Sequence, residues 1–258
     1  MIFNIIECLK SQNDILRYSN VSPQSIRIVY TNKTKRFTEF YRIRVLYTNK
    51  KKQYFWIRIV KNKPENEITD ALNSQFLIMK KVYNHFKKKD RGLYLTCCEP
   101  IALLHSYNAL ITKECNGVLF NLLLKHTIPI FSKKRLSDIF YNCGVWLGQF
   151  HKLYANDNIS ELQFQKKMIS FKKQHGRDPI PKYRYITKCH NDYTPRNIFV
   201  GRNLVDVIDF VGVKDGFPEE DLSYFSKYFL NARFNGLYSK KIKYYLLDCF
   251  YNGYNTPA

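Results

Sequence analysis

The sequence predicts an α+β chain in two parts, a β-rich first part with one main helix and a mostly helical second part. Three observations support this prediction. Strand-like runs occupy much of the chain up to residue 61, a helical repeat of apolar residues follows them, and helical repeats dominate beyond residue 117. The predicted boundary therefore separates residues 1–115 from residues 116–258.

The first part begins with three runs of strand-like composition, at residues 25–30, 40–47 and 54–61. They are rich in Ile, Val, Tyr and Phe, and polar turn residues separate them, so they predict an antiparallel meander. A helix is predicted at 67–86, because apolar residues recur there at helical spacing. Two shorter strands are predicted after it, at 101–105 and 109–113.

The second part carries four predicted helices, at residues 136–154, 160–173, 222–230 and 240–251. Gly144 and Gly148 lie four residues apart in the first of these, a spacing that allows another helix to approach closely. Between the second and third helices lie a short strand at 184–189 and a predicted hairpin, formed by 198–200 and 204–210. The second part is thus helical around one small hairpin.

Composition and charge limit the classes of function. The 258 residues carry a formal net charge of +21, which favours anionic partners such as phosphorylated metabolites, acidic lipid surfaces or nucleic acid. A solvated basic surface without such a partner is the alternative interpretation. Nucleic-acid binding ranks last, because the sequence has no helix-turn-helix, zinc-finger or aromatic RNA-binding motif.

The cysteines and the first residues indicate a location. Seven cysteines stand at irregular spacing without a C-x-x-C pair, which argues against disulfides and zinc and favours a reducing compartment. The first ten residues lack a basic start and carry Glu7, so they do not resemble a signal peptide. We expect a cytoplasmic protein, with a peripheral position on the inner face of an anionic membrane as an alternative.

The segment from His190 to Asp209 carries the most chemical information. A polar turn containing His190, Asp192 and Asn197 precedes the first strand of the hairpin, and Asp209 ends the second. Because a hairpin brings the residues before its first strand close to those after its second, these oxygen-bearing side chains should converge. Such a set suits Mg²⁺, and phosphoryl transfer requires little beyond a metal and a carboxylate that aligns the attacking hydroxyl.

The spacing H-x-D-x-x-x-x-N, followed by a strand that ends in I-D-F, resembles the catalytic and metal loops of kinases. The details are most similar to the aminoglycoside phosphotransferase and choline kinase family. The similarity extends to the Leu-Gly-x-x-His run that ends at His151 and to the Pro-x-x-Asp-Leu run that contains Asp221. It covers about residues 25–253, and only the catalytic segment is specific.

The resemblance implies a bilobal protein-kinase-like fold that uses ATP, or GTP as an alternative nucleotide, together with Mg²⁺. Asp192 would act as the catalytic base, and Asn197 and Asp209 would bind the metal. His190 and Asp221 would brace the catalytic loop, although N-capping of a helix is an equal alternative for Asp221. The backbone at Glu114, Cys115 and Asn116 would contact the nucleotide base.

Two positions depart from the pattern of the family. The third strand of these kinases supplies a lysine to the phosphates, whereas here Arg58 occupies the matching position and Lys61 follows three residues later. The glutamate that usually pairs with that lysine is matched best by Gln75, with Glu65 and Glu67 nearby. On a strand, Arg58 and Lys61 point to opposite faces, so only one of them can clamp the phosphates.

The leading hypothesis is an ATP-dependent kinase that phosphorylates a hydroxyl of a small molecule or glycan. Its acceptor would be a neutral or anionic sugar or another metabolite alcohol, because the strongly basic chain is a poor host for a polycation. The departures at Arg58 and Gln75 motivate a second hypothesis, a pseudokinase or regulatory nucleotide-binding module. A protein kinase is disfavoured, because no Ala-Pro-Glu segment follows Asp209.

Overall fold

The computed structural model describes residues 1–11, 16, 21–33, 37–62, 64–87, 93–156, 159–234 and 236–256. Two compact units make up the chain. The first unit comprises Met1–Tyr83 and Cys98–Cys115, and the second comprises Asn84–Cys97 and Asn116–Ala258.

A five-stranded antiparallel sheet forms the framework of the first unit. Its strands are β1 (Pro23–Lys33), β2 (Thr38–Tyr47), β3 (Lys52–Val60), β5 (Pro100–Leu104) and β6 (Ala109–Lys113). Their order across the sheet is β1-β2-β3-β6-β5, so the predicted meander of the first three strands is confirmed. All four pairings are antiparallel, as expected for strands rich in β-branched and aromatic residues.

The two faces of this sheet have different roles. One face carries the alternating buried residues of β2 and β3, and these pack with Ile5, Ile6 and Leu9 of helix α1 (Ile2–Ser11). The opposite face of β3 carries Trp56 and Arg58. Helix α2 (Glu65–Lys87) contributes a partner for Arg58 on that face. The sequence analysis predicted α2 but not the short helix α1.

A four-stranded sheet in the second unit contains the predicted hairpin. Its members are β4 (Tyr94–Cys97), β7 (Val118–Leu119), β9 (Ile198–Val200) and β10 (Leu204–Val207). Their order is β4-β10-β9-β7, so a strand flanks the hairpin on each side. Gly117 enters β7 with φ of 91°, and a Cβ there would lie 2.6 Å from the carbonyl oxygen of Val200. Glycine is therefore required at this junction.

The described part of the second unit also contains five α-helices and a two-stranded ribbon. They are α3 (Phe120–His126), α4 (Lys133–Leu153), α5 (Glu161–His175), α6 (Pro218–Asn231), α7 (Lys240–Tyr254), and the strands β8 (Thr187–Cys189) and β11 (Lys214–Gly216). The four predicted helices are present. Helix α6 begins four residues earlier than predicted, because proline is compatible with the first helical position. Among the described helices, none has the length and apolar character needed to cross a membrane.

Aromatic rings form the centre of the second unit. The fully buried Trp146 of α4 stacks on Phe86, Phe150 and Tyr193, with ring centroids 5.3–5.5 Å apart. Tyr193 belongs to the loop that follows β8, and its hydroxyl donates to the carbonyl oxygen of Cys143 over 2.7 Å. Burial raises the pKa of Tyr193, so the phenol stays neutral. The loop is thus attached to α4 by both packing and a hydrogen bond.

Helices α4 and α7 approach so closely that their backbones touch. A Cβ at Gly144 would lie 1.9 Å from the carbonyl oxygen of Phe250, and one at Gly148 would lie 2.6 Å from that of Tyr254. On α7, a Cβ at Gly253 would lie 2.0 Å from the carbonyl oxygen of Tyr141. The close packing predicted from Gly144 and Gly148 is therefore confirmed.

We expect Gly144→Ala to destabilise the protein by about 2 kcal/mol or more, because the new methyl group would push two helix backbones apart. In an ordinary helix interior the same change stabilises by up to about 1 kcal/mol, so the sign of the effect is diagnostic. Urea unfolding measures the difference. Gly212→Ala is the control, since its Cβ would meet only ordinary 3.6 Å contacts. A neutral or stabilising Gly144→Ala would contradict the close packing.

Candidate active site

The register of the hairpin places the candidate residues. Strands β9 and β10 pair antiparallel, with Val207 opposite Ile198 and Val205 opposite Val200. The backbone N–H of Ile208 donates to the carbonyl oxygen of Asn197 over 2.9 Å, which extends the pairing by one step. Asn197 therefore lies across from Ile208, the residue immediately before Asp209.

Asn197 also fixes Asp192. Its Nδ2 donates to the Asp192 carbonyl oxygen over 3.0 Å and to the Asp192 Oδ2 over 2.8 Å. The Asn197 side chain is buried, and its own N–H donates to the Thr194 carbonyl oxygen, so the amide has a defined orientation. Because the amide nitrogen is committed to Asp192, the Oδ1 atom is the part of Asn197 that can serve a cation.

Asp209 lies in a conformation that the sequence did not predict. We expected the strand to continue to residue 210, but β10 ends at Val207. Asp209 has φ of 64° and ψ of 63°, a left-handed conformation that ends regular pairing, and Phe210 beside it is buried. The carboxylate of Asp209 is exposed as a result.

The imidazole of His190 is buried and hydrogen bonded. Burial lowers its pKa, and the negative charges of Asp221, Asp209 and Asp192 act in the opposite direction. The Nε2 atom lies 3.0 Å from the carbonyl oxygen of Ile208, which can only accept, so Nε2 carries a proton and donates it. The lowered pKa favours the neutral form of the ring.

Asp221 holds the backbone of the loop that precedes Asp192. Its Oδ2 accepts from the N–H of His190 over 2.6 Å, and its Oδ1 accepts from the N–H of Asn191 over 2.7 Å. The Nε2 of His151 lies 3.0 Å from the same carboxylate, and both side chains are fully buried. Asp221 occupies the first turn of α6 rather than its N-cap, which is Phe217. The capping alternative for Asp221 is therefore wrong, and it braces the loop.

His151, Asp221 and Cys189 form the only cluster of three potential metal-ligating side chains within the described residues. Burial raises the pKa of the Cys189 thiol, whose sulfur lies 3.1 Å from the Phe217 carbonyl oxygen and donates to it. The Nδ1 of His151 lies 2.9 Å from the Tyr254 hydroxyl. Because each polar group already has a protein partner, we interpret this cluster as a structural hydrogen-bond network.

In the first unit, Arg58 and Lys61 have separate partners. The Arg58 Nη1 donates to the Gln75 Oε1 of α2 over 2.7 Å, and Gln75 is buried. Lys61 instead pairs with Glu39 over 2.6 Å, on the side of the sheet where Tyr41 also bonds Glu39. The predicted separation of Arg58 and Lys61 to different faces agrees with this geometry.

The predicted base-contacting segment begins with an ion pair. Glu114 accepts two hydrogen bonds from Arg42, over 2.7 and 2.9 Å, and Arg42 lies 4.2 Å from the centroid of the Tyr54 ring. The backbone N–H of Glu114 donates to the Tyr54 carbonyl oxygen. Cys115 follows as the last residue of the first unit, and Asn116 is exposed in the second.

Sequence reasoning missed Arg196, which lies inside the catalytic motif between Pro195 and Asn197. Its guanidinium carbon lies 4.8 Å from the centroid of the Tyr228 ring. The sequence could have indicated this residue, because Arg196 directly precedes Asn197, the predicted metal ligand. Its partner on α6 could not be read from the sequence, because the contact spans residues far apart in the chain.

Comparison with solved structures gives the class of the fold. No family model and no curated protein matches the sequence. The amicoumacin kinase hAmiN, in complex with AMP-PNP, Ca²⁺ and Ami, superposes with a TM-score of 0.54 at 10% identity, over 96% of this chain and 76% of that one. A choline kinase from Cryptosporidium parvum Iowa II gives a TM-score of 0.51 at 11% identity, over 98% and 80%.

These similarities establish the fold. The chain has an α+β fold that it shares with the amicoumacin kinase and the choline kinase, and this kinase-like fold is the one that the sequence predicted.

We expect Asp221→Asn to destabilise the protein by about 1–3 kcal/mol, because it leaves a buried N–H of the catalytic loop without a charged acceptor. Urea unfolding measures the loss, and hydrogen exchange at the His190 and Asn191 amides should accelerate. Asp178→Asn is the matched control, since that carboxylate is exposed. Unchanged exchange at both amides would show that Asp221 does not hold the loop.

Proposed function

We propose that this chain is an ATP-dependent phosphotransferase that moves the γ-phosphoryl group to a hydroxyl of a small molecule. The observation that supports this most directly is the contact of Asn197 with Asp192, on a hairpin whose second strand leads into Asp209. A base and two oxygen ligands for a cation thus belong to one short, braced segment. The fold shared with small-molecule kinases supports the same conclusion.

In the proposed reaction, Asp192 accepts the proton of the acceptor hydroxyl. The hydroxyl oxygen forms a bond to the γ-phosphorus, the bond from that phosphorus to the β–γ bridging oxygen breaks, and ADP leaves. The hydrogen bond from Asn197 keeps the Asp192 carboxylate oriented for this step. Orientation matters because positioning and electrostatics supply most of the catalysis in phosphoryl transfer.

Asn197 and Asp209 are proposed to hold Mg²⁺. Their donor atoms are oxygens, which suit a hard cation, and the exposed Asp209 leaves room for phosphate and water. Magnesium would offset negative charge on the nucleotide phosphates. A neutral His190 adds no positive charge that would compete with the metal, which fits the same assignment.

For the nucleotide, Arg58 is proposed to contact the phosphates and the backbone at Glu114, Cys115 and Asn116 to contact the base. The Gln75 contact supports Arg58, because a neutral amide oxygen holds the guanidinium. Lys61 is the weaker candidate, since Glu39 already pairs with its ammonium group. ATP is the proposed donor, and GTP is an alternative for the same contacts.

The acceptor is proposed to be a neutral or anionic sugar, a glycan precursor or another metabolite alcohol. A nucleotide-binding module without catalysis is the second candidate function. The neutral Gln75 favours it, because it stands where the family pattern has a glutamate. Magnesium-dependent nucleotide binding without turnover on any acceptor would support this second candidate.

We expect Asp192→Ala to lower kcat by about 10²–10⁴-fold while nucleotide affinity stays nearly unchanged, because the carboxylate acts on the acceptor hydroxyl. Asp209→Asn should instead weaken nucleotide binding in magnesium while leaving metal-free binding largely intact. The first step is a metabolite screen for magnesium-dependent ATP consumption. Calorimetric titration with AMP-PNP, with and without magnesium, then separates the two variants. Full turnover by Asp192→Ala would remove Asp192 from the mechanism.

Arg58→Ala should weaken ATP binding by about ten- to a hundredfold, the range for a lost hydrogen bond to a charged group. Lys61→Ala is the matched control on the other face of the sheet and should change binding little. Arg58→Lys should restore binding only in part, because the two cations differ in shape and reach. Thermal unfolding shows whether each variant remains folded. Equal effects of both alanine changes would refute the assignment of Arg58.

A further inference from the structure

A pocket of about 580 Å³ opens beside the catalytic loop, entirely within the second unit. Arg196 of the catalytic loop lines it, together with residues of α3, of α6 and of the segment that follows α6. The pocket therefore lies next to the residues that we assign to catalysis.

The charged side chains that line the pocket are all positive. Four cations line it, Lys125, Arg196, Lys227 and Arg233, and no carboxylate occurs among its described lining residues. None of these four takes part in an ion pair within the described part of the chain. Four like charges around one pocket repel each other, and an anion bound there relieves that repulsion.

Arg196 packs against Tyr228 in the lining of the pocket. The Tyr228 ring lies beneath its guanidinium, and the Tyr228 hydroxyl donates to the Asn121 Oδ1 over 3.1 Å. The backbone N–H of Asn121 in turn donates to the carbonyl oxygen of Pro195, the residue before Arg196. These contacts connect the catalytic loop, α3 and α6, so less side-chain entropy is lost when Arg196 binds a ligand.

The pocket and the catalytic aspartate share a neighbour. Arg196, which lines the pocket, directly precedes Asn197, whose Nδ2 donates to the Asp192 carboxylate over 2.8 Å. Tyr224, Tyr228 and Phe234 supply aromatic surface for the non-ionic part of a ligand. A ligand in this pocket would thus have an anionic end at the cations and a hydroxyl near Asp192.

We propose that the acceptor is an anionic alcohol, a small hydroxyl compound that also carries a phosphate or carboxylate group. Arg196, with Lys125, Lys227 and Arg233, binds that group, and the aromatic side chains contact the ring or chain that bears the hydroxyl. The inference rests on the proposed phosphotransferase function and narrows its acceptor from any sugar or metabolite alcohol to the anionic ones. The guanidinium of Arg196 makes paired hydrogen bonds that suit either group.

The test compares chemically matched probes with and without the anionic group. Hexose 6-phosphate, a hexuronic acid, the unmodified hexose and the amino sugar are titrated into the protein with AMP-PNP and magnesium, and each is offered as an acceptor with ATP. We expect at least one anionic probe to bind about tenfold or more tightly than the hexose. The phosphate and carboxylate probes distinguish which anion the pocket prefers.

Variants then locate the binding. Arg196→Gln and Lys227→Gln should each weaken binding of the preferred anionic probe by about tenfold, the effect of a lost charged contact. The matched control is Lys173→Gln, which removes one exposed positive charge from α5, outside the pocket. Binding of AMP-PNP should stay unchanged in Lys227→Gln, because that residue is assigned to the acceptor.

The outcomes separate the inference from the proposed function. If the neutral or cationic probe binds as well as the anionic ones, or the variants bind them equally, the anionic acceptor is wrong while the kinase function stands. Absence of magnesium-dependent nucleotide binding would overturn the proposed function itself. Binding of anionic lipid vesicles that depends on Lys227, without binding of any soluble anion, would assign the pocket to a membrane surface and refute the inference.

Discussion

The carboxylate of Asp221 is the constraint on which the candidate site depends. It is fully buried, and its two oxygens accept the backbone N–H groups of two consecutive loop residues. A buried charge of this kind is tolerated only when it is fully hydrogen bonded, and the loop backbone supplies those bonds. His151 connects the same carboxylate to Tyr254 at the end of α7. The loop that carries the candidate site is therefore connected, through Asp221 and His151, to helices α4 and α7, whose backbones are in contact.

The second unit separates positioning from reaction. Groups that hold the loop, such as His190, Tyr193 and Asp221, are buried and hydrogen bonded. The two carboxylates proposed to act in the reaction, Asp192 and Asp209, are more accessible to solvent, whereas Asn197 is buried. This division allows the buried set to maintain the geometry while substrates exchange at the surface.

Much of the architecture was readable because its causes are local. Alternating apolar residues predicted β2 and β3, and helical repeats predicted α2 and α4. A short turn predicted the pairing of β9 with β10. The early end of β10 was not predicted, since aspartate is enriched in the left-handed conformation but adopts it too rarely for residue type alone to predict it. The partners of Asp221 and the contact of Arg196 with Tyr228 depend on how α6 packs, which local sequence does not encode. Helix α1 was missed because only Ile5, Ile6 and Leu9 mark its buried side.

The two tryptophans of the chain have very different surroundings, and this gives the protein two separate optical reporters. Trp146 lies in a dry aromatic stack, so its emission should be blue-shifted and should respond to unfolding of the second unit. Trp56 is partly exposed on the face of β3 that carries Arg58, with the Tyr30 ring 5.9 Å away. A soluble quencher such as iodide should reduce the emission of Trp56 and leave the emission of Trp146 unchanged. Fluorescence alone can therefore follow the two units independently, without any added label.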